Sequence, residues 1–123
     1  MLETGLTHTS SLTVTEALTA KAMVRATCPC WLRRAMMALM ENAAMLAVAP
    51  ELPEGSTTVG GHIESSHLKP TPLGVEVKAE ATLTKVDGRK LYFTVKAMQG
   101  DAVIGEGTHL RFIVDREKFM SKL

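Results

Sequence analysis

One stretch constrains this chain more than any other: Trp31–Pro50, WLRRAMMALMENAAMLAVAP, an apolar helix with a single acid, Glu41, in its middle. Between Glu16 and Glu51 there is no other Asp or Glu. Leu32, Met36, Leu39, Ala43, Leu46 and Ala47 recur at helical spacing, and Met, Ala and Leu are good helix formers. Met37, Ala38, Ala44 and Met45 lie one turn either way from Glu41 and share its face. A carboxylate among them is expected to lose most of its hydration, which is costly without a partner or a purpose. Ala49-Pro50 stops the helix, and Glu51–Ser56 reads as a polar loop.

The remaining sequence must cover that helix. At 123 residues the chain is expected to be a single domain, 1–123, with one core. Thr7–Glu16 alternates with Leu6, Leu12 and Val14 on one parity and reads as a first strand; Ala17–Thr27 suggests a helical turn ended by Cys28-Pro29. After the helix the period changes. Thr57–His67 alternates with Val59, Ile63 and His67 on one face, although Gly60-Gly61 interrupts it. Leu73–Lys85 is the clearest strand, with Leu73, Val75, Val77, Ala79, Ala81 and Leu83 facing one way. Asp87-Gly88 marks a tight hairpin into Leu91–Met98, whose inward set is Leu91, Phe93, Val95 and Ala97. Gln99-Gly100-Asp101 turns into a last strand, Ala102–Val114, and Arg116–Leu123 is a short helix or tail. The expected order is strand, long helix, then four strands in meander: an α+β domain whose curved antiparallel five-stranded sheet wraps one long central helix. Its uncovered sheet edges favour a homodimer, with a dimer of dimers as the next assembly.

Several function classes are disfavoured. A net charge of +1 with both signs mixed along the strands argues against nucleic acid, and so do the few aromatics. Cys28 and Cys30 are too few for a disulfide framework and lack a second cluster for zinc, so they read as free thiols in a reducing cytoplasm. No secretory signal opens the chain, and the helix is too short and charged to span a membrane. Ser121-Lys122-Leu123 has the form of a peroxisomal address, which we read as coincidence.

The motifs carry more. ALMENAA (38–44), LPEGSTTVGGHI (52–63), His67 with Pro70-Thr71-Pro72, VDGRKL (86–91) and IGEGTHLRFIVDREKF (104–119) stand in the order and spacing of one family. Together they resemble the fluoroacetyl-CoA thioesterase-like branch of the hotdog fold over essentially the whole chain. The resemblance implies hydrolysis of an acyl-CoA thioester to a free acid and coenzyme A, with no metal or redox cofactor. It implies a helix Glu, matched by Glu41, and a His at the end of the next strand, matched by His67. It also implies a hydroxyl residue eight positions before the Glu, where this chain has Arg33.

Each candidate also has a structural reading. Glu41 is either a buried structural carboxylate, paired with an Arg such as Arg34 or Arg33, or the general base or nucleophile of the reaction. His67 shares parity with Ile63 and is either a core residue or the group that polarises the thioester carbonyl or orients water. Gly60-Gly61 is either a bulge that bends the sheet or a close-approach site whose backbone N–H groups hold an oxyanion, with Gly60 the better family match. Arg33 stands in a helix first turn that the dipole makes unfavourable for cations, which suggests an anionic partner such as the phosphates of coenzyme A. Met37, Met40 and Met45 are expected to line an acyl pocket. Thr27, Cys28 and Cys30 are candidates for the missing hydroxyl or nucleophile. His62 reads as surface or interface, and His109 as structural or a dimer contact. The rival reading is a non-catalytic acyl-CoA or small-ligand binding module of the same fold.

Overall fold

The structure, a computed structural model, describes residues 2–13, 33–67 and 74–123. The elements are β1 (Thr7–Thr13), α1 (Arg33–Val48) followed by a 3-10 turn (Ala49–Glu51), β2 (Ser56–His67), β3 (Glu76–Asp87), β4 (Lys90–Gln99), β5 (Ala102–Asp115) and α2 (Arg116–Ser121). All strand pairs are antiparallel, in the order β1-β3-β4-β5-β2.

That order corrects the expected four-strand meander. Only β3, β4 and β5 follow one another; β2 crosses over to pair with β5 and becomes an edge. The β3–β4 hairpin falls where the sequence places it, with Gly88 at φ +60°, a left-handed turn conformation that glycine adopts without penalty.

The core forms where the alternation is cleanest. Val77, Ala79, Ala81 and Leu83 of β3, with Leu91, Phe93, Val95 and Ala97 of β4, are all buried on the inner face. Against them α1 buries Met36, Leu39, Met40, Ala43, Ala44, Ala47 and Val48. Small residues on both surfaces let helix and sheet approach closely, and close packing is what rewards burial. Ser10 Oγ of β1 donates a 2.7 Å hydrogen bond to Asn42 Oδ1, which fixes the rotation of α1 over the sheet.

Two expectations about α1 change. The helix is not covered all round: Ala38, Asn42 and Leu46 are exposed, and the helix lies chiefly over β3 and β1. Glu41, at the margin of the packed face, is half-buried rather than largely desolvated. Both follow from one helix lying off-centre on a five-stranded sheet. Trp31, Cys28, Cys30 and Thr27 lie outside the described residues, as do Leu73 and the Pro70-Thr71-Pro72 segment.

Strand β2 holds the third correction. A bulge between Gly60 and His62 adds one residue, so side chains on either side of it face oppositely. Thr58 and Gly60 pair with Ile113 and Arg111 before the bulge; Ile63 pairs with His109 after it. Val59 pairs with Phe112 and so does not share a face with Ile63, contrary to the plain alternation. Gly61 is the residue the bulge accommodates, because a Cβ there would overlap the Phe112 ring.

Candidate active site

Because α1 sits toward β3 and β1, the inner face of β2 and β5 has room for polar groups beside Ile63, Ile104 and Ile113. Thr58 and Arg111 are 5% and 6% exposed, and His109 is 3% exposed. A buried guanidinium is expensive unless its hydrogens are used. Here Arg111 Nε donates to Thr58 Oγ1 at 2.9 Å, and one terminal nitrogen donates to the Thr58 carbonyl at 2.9 Å. The other terminal nitrogen stands 3.2 Å from His109 Nε2.

The imidazole is oriented by the same network. His109 Nδ1 lies 2.7 Å from the His62 carbonyl oxygen. A carbonyl only accepts, so Nδ1 carries the hydrogen and Nε2 presents its lone pair to Arg111. Burial pushes the His109 pKa below its ordinary 6.5; the bond to His62 opposes this, Arg111 adds to it, and the Glu41 charge opposes it more weakly. Burial also lowers the Arg111 pKa while Glu41 counteracts it, and the guanidinium stays cationic at neutral pH. His109 is thus a neutral acceptor beside a fixed cation.

Glu41 meets these groups over Gly60. A Cβ built on Gly60 would stand 3.4 Å from His109 Cε1, 3.6 Å from an Arg111 terminal nitrogen and 3.7 Å from Glu41 Oε2. The carboxylate, the guanidinium and the imidazole therefore converge on one point above the glycine. Met37 and Met45, one turn to either side of Glu41, are half-buried and flank it. Met40 does not: it is fully buried in the core, because its helix position points at the sheet.

The sequence reading named Glu41 and Gly60 as separate candidates and did not single out Arg111; the structure brings all three together. The arginine that faces Glu41 comes from β5, not from the helix. The backbone of His67 pairs with Gly105 at the far end of β2; its side chain, and those of Arg33 and Arg34, lie outside what the structure describes. His62 is on the surface, 3.1 Å from Glu64. Among the described residues no group of three or more His, Cys, Asp or Glu is placed to hold a metal ion. No described helix is long and apolar enough to cross a membrane.

Surface clefts lie away from this location, among them one of about 580 Å³ beside Arg89, Val114, Asp115 and Lys118. One of about 470 Å³ lies between Glu80, Lys96 and Glu106, and one of about 530 Å³ runs past Tyr92, Thr94 and Leu110. Both open mainly on outward-facing strand positions, where side chains keep their solvent. Among the described residues, the inner-face cluster is where a buried cation meets a half-buried carboxylate, and such groups seldom gather without a task.

The fold and this inner-face cluster define a hotdog-type domain. A single-residue variant of the fluoroacetyl-CoA-specific thioesterase FlK superposes with a TM-score of 0.91 at 31% identity, over 99% of this chain and 95% of that one. A variant of the same enzyme in complex with fluoroacetate and CoA gives 0.88 at 31% identity, over 96% and 99% of the two chains. A thioesterase superfamily member from Thermus thermophilus gives 0.90 at 24% identity, over 98% and 89%, and supports the fold alone. The family model for fluoroacetyl-CoA-specific thioesterase matches residues 14–117. A fluoroacetyl-CoA thioesterase of Streptantibioticus cattleyicolor is 41% identical over 88 residues, 72% of this chain and 63% of the relative, so the match spans under two thirds of that protein's length. The chain belongs to the fluoroacetyl-CoA-specific thioesterase family.

Proposed function

We propose that this protein hydrolyses an acyl-CoA thioester to a carboxylic acid and coenzyme A, with Glu41 as general base or nucleophile and His67 assisting. The observation that carries the reading is the convergence over Gly60: a half-buried carboxylate faces a buried, fully braced cation within reach of one small group. A carboxylate so placed can take a proton from water or attack the thioester carbon. Family membership supplies the substrate class, since FlK variants have been solved with fluoroacetate and CoA and with acetyl-CoA. His67, at the end of β2, is assigned to the thioester carbonyl or to water. Met37 and Met45 are assigned to the acyl group, and Gly60 to close approach of the reacting atoms. Arg33, at the start of α1, is assigned to the phosphates of coenzyme A.

The working unit is a homodimer. Among the described residues strand β2 ends the sheet and carries Gly60, so a second copy pairing there would close the site from that side. Sedimentation or light scattering tests it: a monomer at micromolar concentration contradicts the dimer.

Thiol release from short, medium and aryl acyl-CoA substrates tests the reaction. Wild type should release thiol from at least one class, and Glu41→Gln should lower kcat by on the order of 100-fold. One observation favours a second reading, a non-catalytic acyl-CoA binding module: Arg33 stands where the family resemblance calls for a hydroxyl residue. CoA binding without thiol release above background would decide for the binder.

A further inference from the structure

We propose that the outer face of the sheet binds the same face of a second copy of this chain, about a two-fold axis along the threonine row Thr82–Thr94–Thr108. The inference is independent of the thioesterase reading. Helix α1 packs on the inner side, and the six-residue α2 is too short to cover the outer one. Register nonetheless turns apolar side chains outward: Leu110 lies beside Tyr92, and Phe112 beside Val59. All four are only half-buried in the single chain. Apolar groups gathered on one open face mark a place where another surface docks.

The charges identify the occupant. The outward residues of β3 are, in order, Lys78, Glu80, Thr82, Lys85 and Asp87; the bulge between Leu83 and Lys85 keeps the last two on that face. Their signs run plus, minus, none, plus, minus, which is antisymmetric about Thr82. A two-fold axis crossing the strands there lays β3 antiparallel over β3 of the second copy. Lys78 then faces Asp87 and Glu80 faces Lys85, each twice by symmetry. On β4 the outward order is Lys90, Tyr92, Thr94, Lys96 and Met98, so the same axis sets the Lys96 ammonium over a Tyr92 ring. Thr82, Thr94 and Thr108 are register partners and lie on the axis, where each meets its own copy without like charge. Moving the axis by one outward position sets Glu80 over Glu80 or Lys85 over Lys85, which charge repulsion opposes. Five strands about 4.8 Å apart and ten residues long at about 3.4 Å each span roughly 800 Å², the area one partner gives to a stable interface. Stacked sheets cross at about −30°, and the pairs nearest the axis are the ones that rotation disturbs least. Together with pairing at β2, this face yields a dimer of dimers.

The test uses the whole chain in sedimentation velocity, with the melting temperature as the control for folding. Thr94 is exposed and on the axis, so Thr94→Arg sets two guanidinium groups against each other. It should halve the mass of the wild-type assembly and keep the melting temperature. Glu80→Lys places a lysine over Lys85 and should weaken association by roughly tenfold or more. Glu80→Lys combined with Lys85→Glu reverses both signs and should return association to within about threefold of wild type. A face that meets only solvent gives no such rescue, and the rescue decides if Thr94→Arg does not fold. A Thr94→Arg protein of wild-type mass, or a monomeric wild type, overturns the proposal. A double variant that stays dissociated overturns the two-fold arrangement. The readout is mass and not thiol, so failure here leaves the thioesterase reading standing, and an inactive wild type leaves the assembly standing.

Discussion

The two halves of the sheet are built to opposite rules. Under α1, strands β3 and β4 present Val77, Ala79, Ala81, Leu83, Leu91, Phe93, Val95 and Ala97, an unbroken apolar inner face. Strands β2 and β5 bring Thr58, Gly60, His109 and Arg111 inward among Ile63, Ile104 and Ile113, and their apolar Phe112 and Val59 sit on the other face. The first half gains stability by removing apolar area from water, at roughly 25 cal/mol per Å². The second spends burial on charged and hydrogen-bonding groups that contribute little net stability once their desolvation is counted. A domain of this size can sustain such a polar half because the other half holds it. The division teaches where to look for chemistry: on the side where alternation brings the wrong residue types inward.

Breaking the apolar half should cost the most. Phe93→Ala, in a fully buried site, is expected to lose about 3–5 kcal/mol in urea unfolding. A loss under about 1 kcal/mol would mean that the β3–β4 face is not the stabilising half. On the other side, Glu41→Gln should remove on the order of 100-fold in kcat, about 2.7 kcal/mol of transition-state stabilisation, with the unfolding midpoint nearly unchanged. That pair of measurements is the sharpest version of the comparison: stability from one region, rate from the other.

Thr58→Val probes the brace. It leaves the buried Arg111 Nε–H without its 2.9 Å acceptor, and such an orphan costs about 1–3 kcal/mol. Equal stability of Thr58→Val and wild type would show that the guanidinium finds another acceptor and is not held in plane by Thr58.

The smallest expected effect is with pH. The folded-state pKa of His109 is depressed by burial below 6.5, so below that value the unfolded chain binds the proton more readily than the folded one. Its contribution is complete above 6.5 and is lost as pH falls from there through the lowered folded value. The groups facing it are Arg111 on β5, Glu41 on α1 and His62 on β2. A melting-temperature series from pH 8 to pH 5 should therefore fall at the acid end, less steeply in His109→Gln. Parallel curves for the two proteins would remove His109 from the account.

Much of the apolar half is legible in one dimension. The runs in β3 and β4 alternate without interruption, and every residue they place inward within the strands is buried, from Val77 to Leu83 and Leu91 to Ala97. The helix, its single acid and the Asp87-Gly88 hairpin are equally plain, because they depend on local propensity and turn chemistry. The polar half reads badly, and β5 shows why. Its even positions, Leu110, Phe112 and Val114, are the apolar ones, so hydropathy turns that set inward. Pairing with β4 does the reverse: Phe93 opposes His109 and Leu91 opposes Arg111, which carries the polar set to the inner face. In β2 the one-residue bulge defeats alternation in the same way.

By itself, then, the sequence determined a long apolar helix carrying Glu41, a sheet of alternating strands, and a family likeness that named Glu41, His67 and Gly60 as candidates. Only the tertiary structure decided that Arg111, seventy residues beyond Glu41, is the cation facing it, and that Thr58 and His109 hold it there. The physical reason is that a side chain's direction in a sheet is set by register with its neighbours. Register here depends on a crossover that carries β2 to the far edge and on a bulge at Gly60, and neither is written in the periodicity of any single strand.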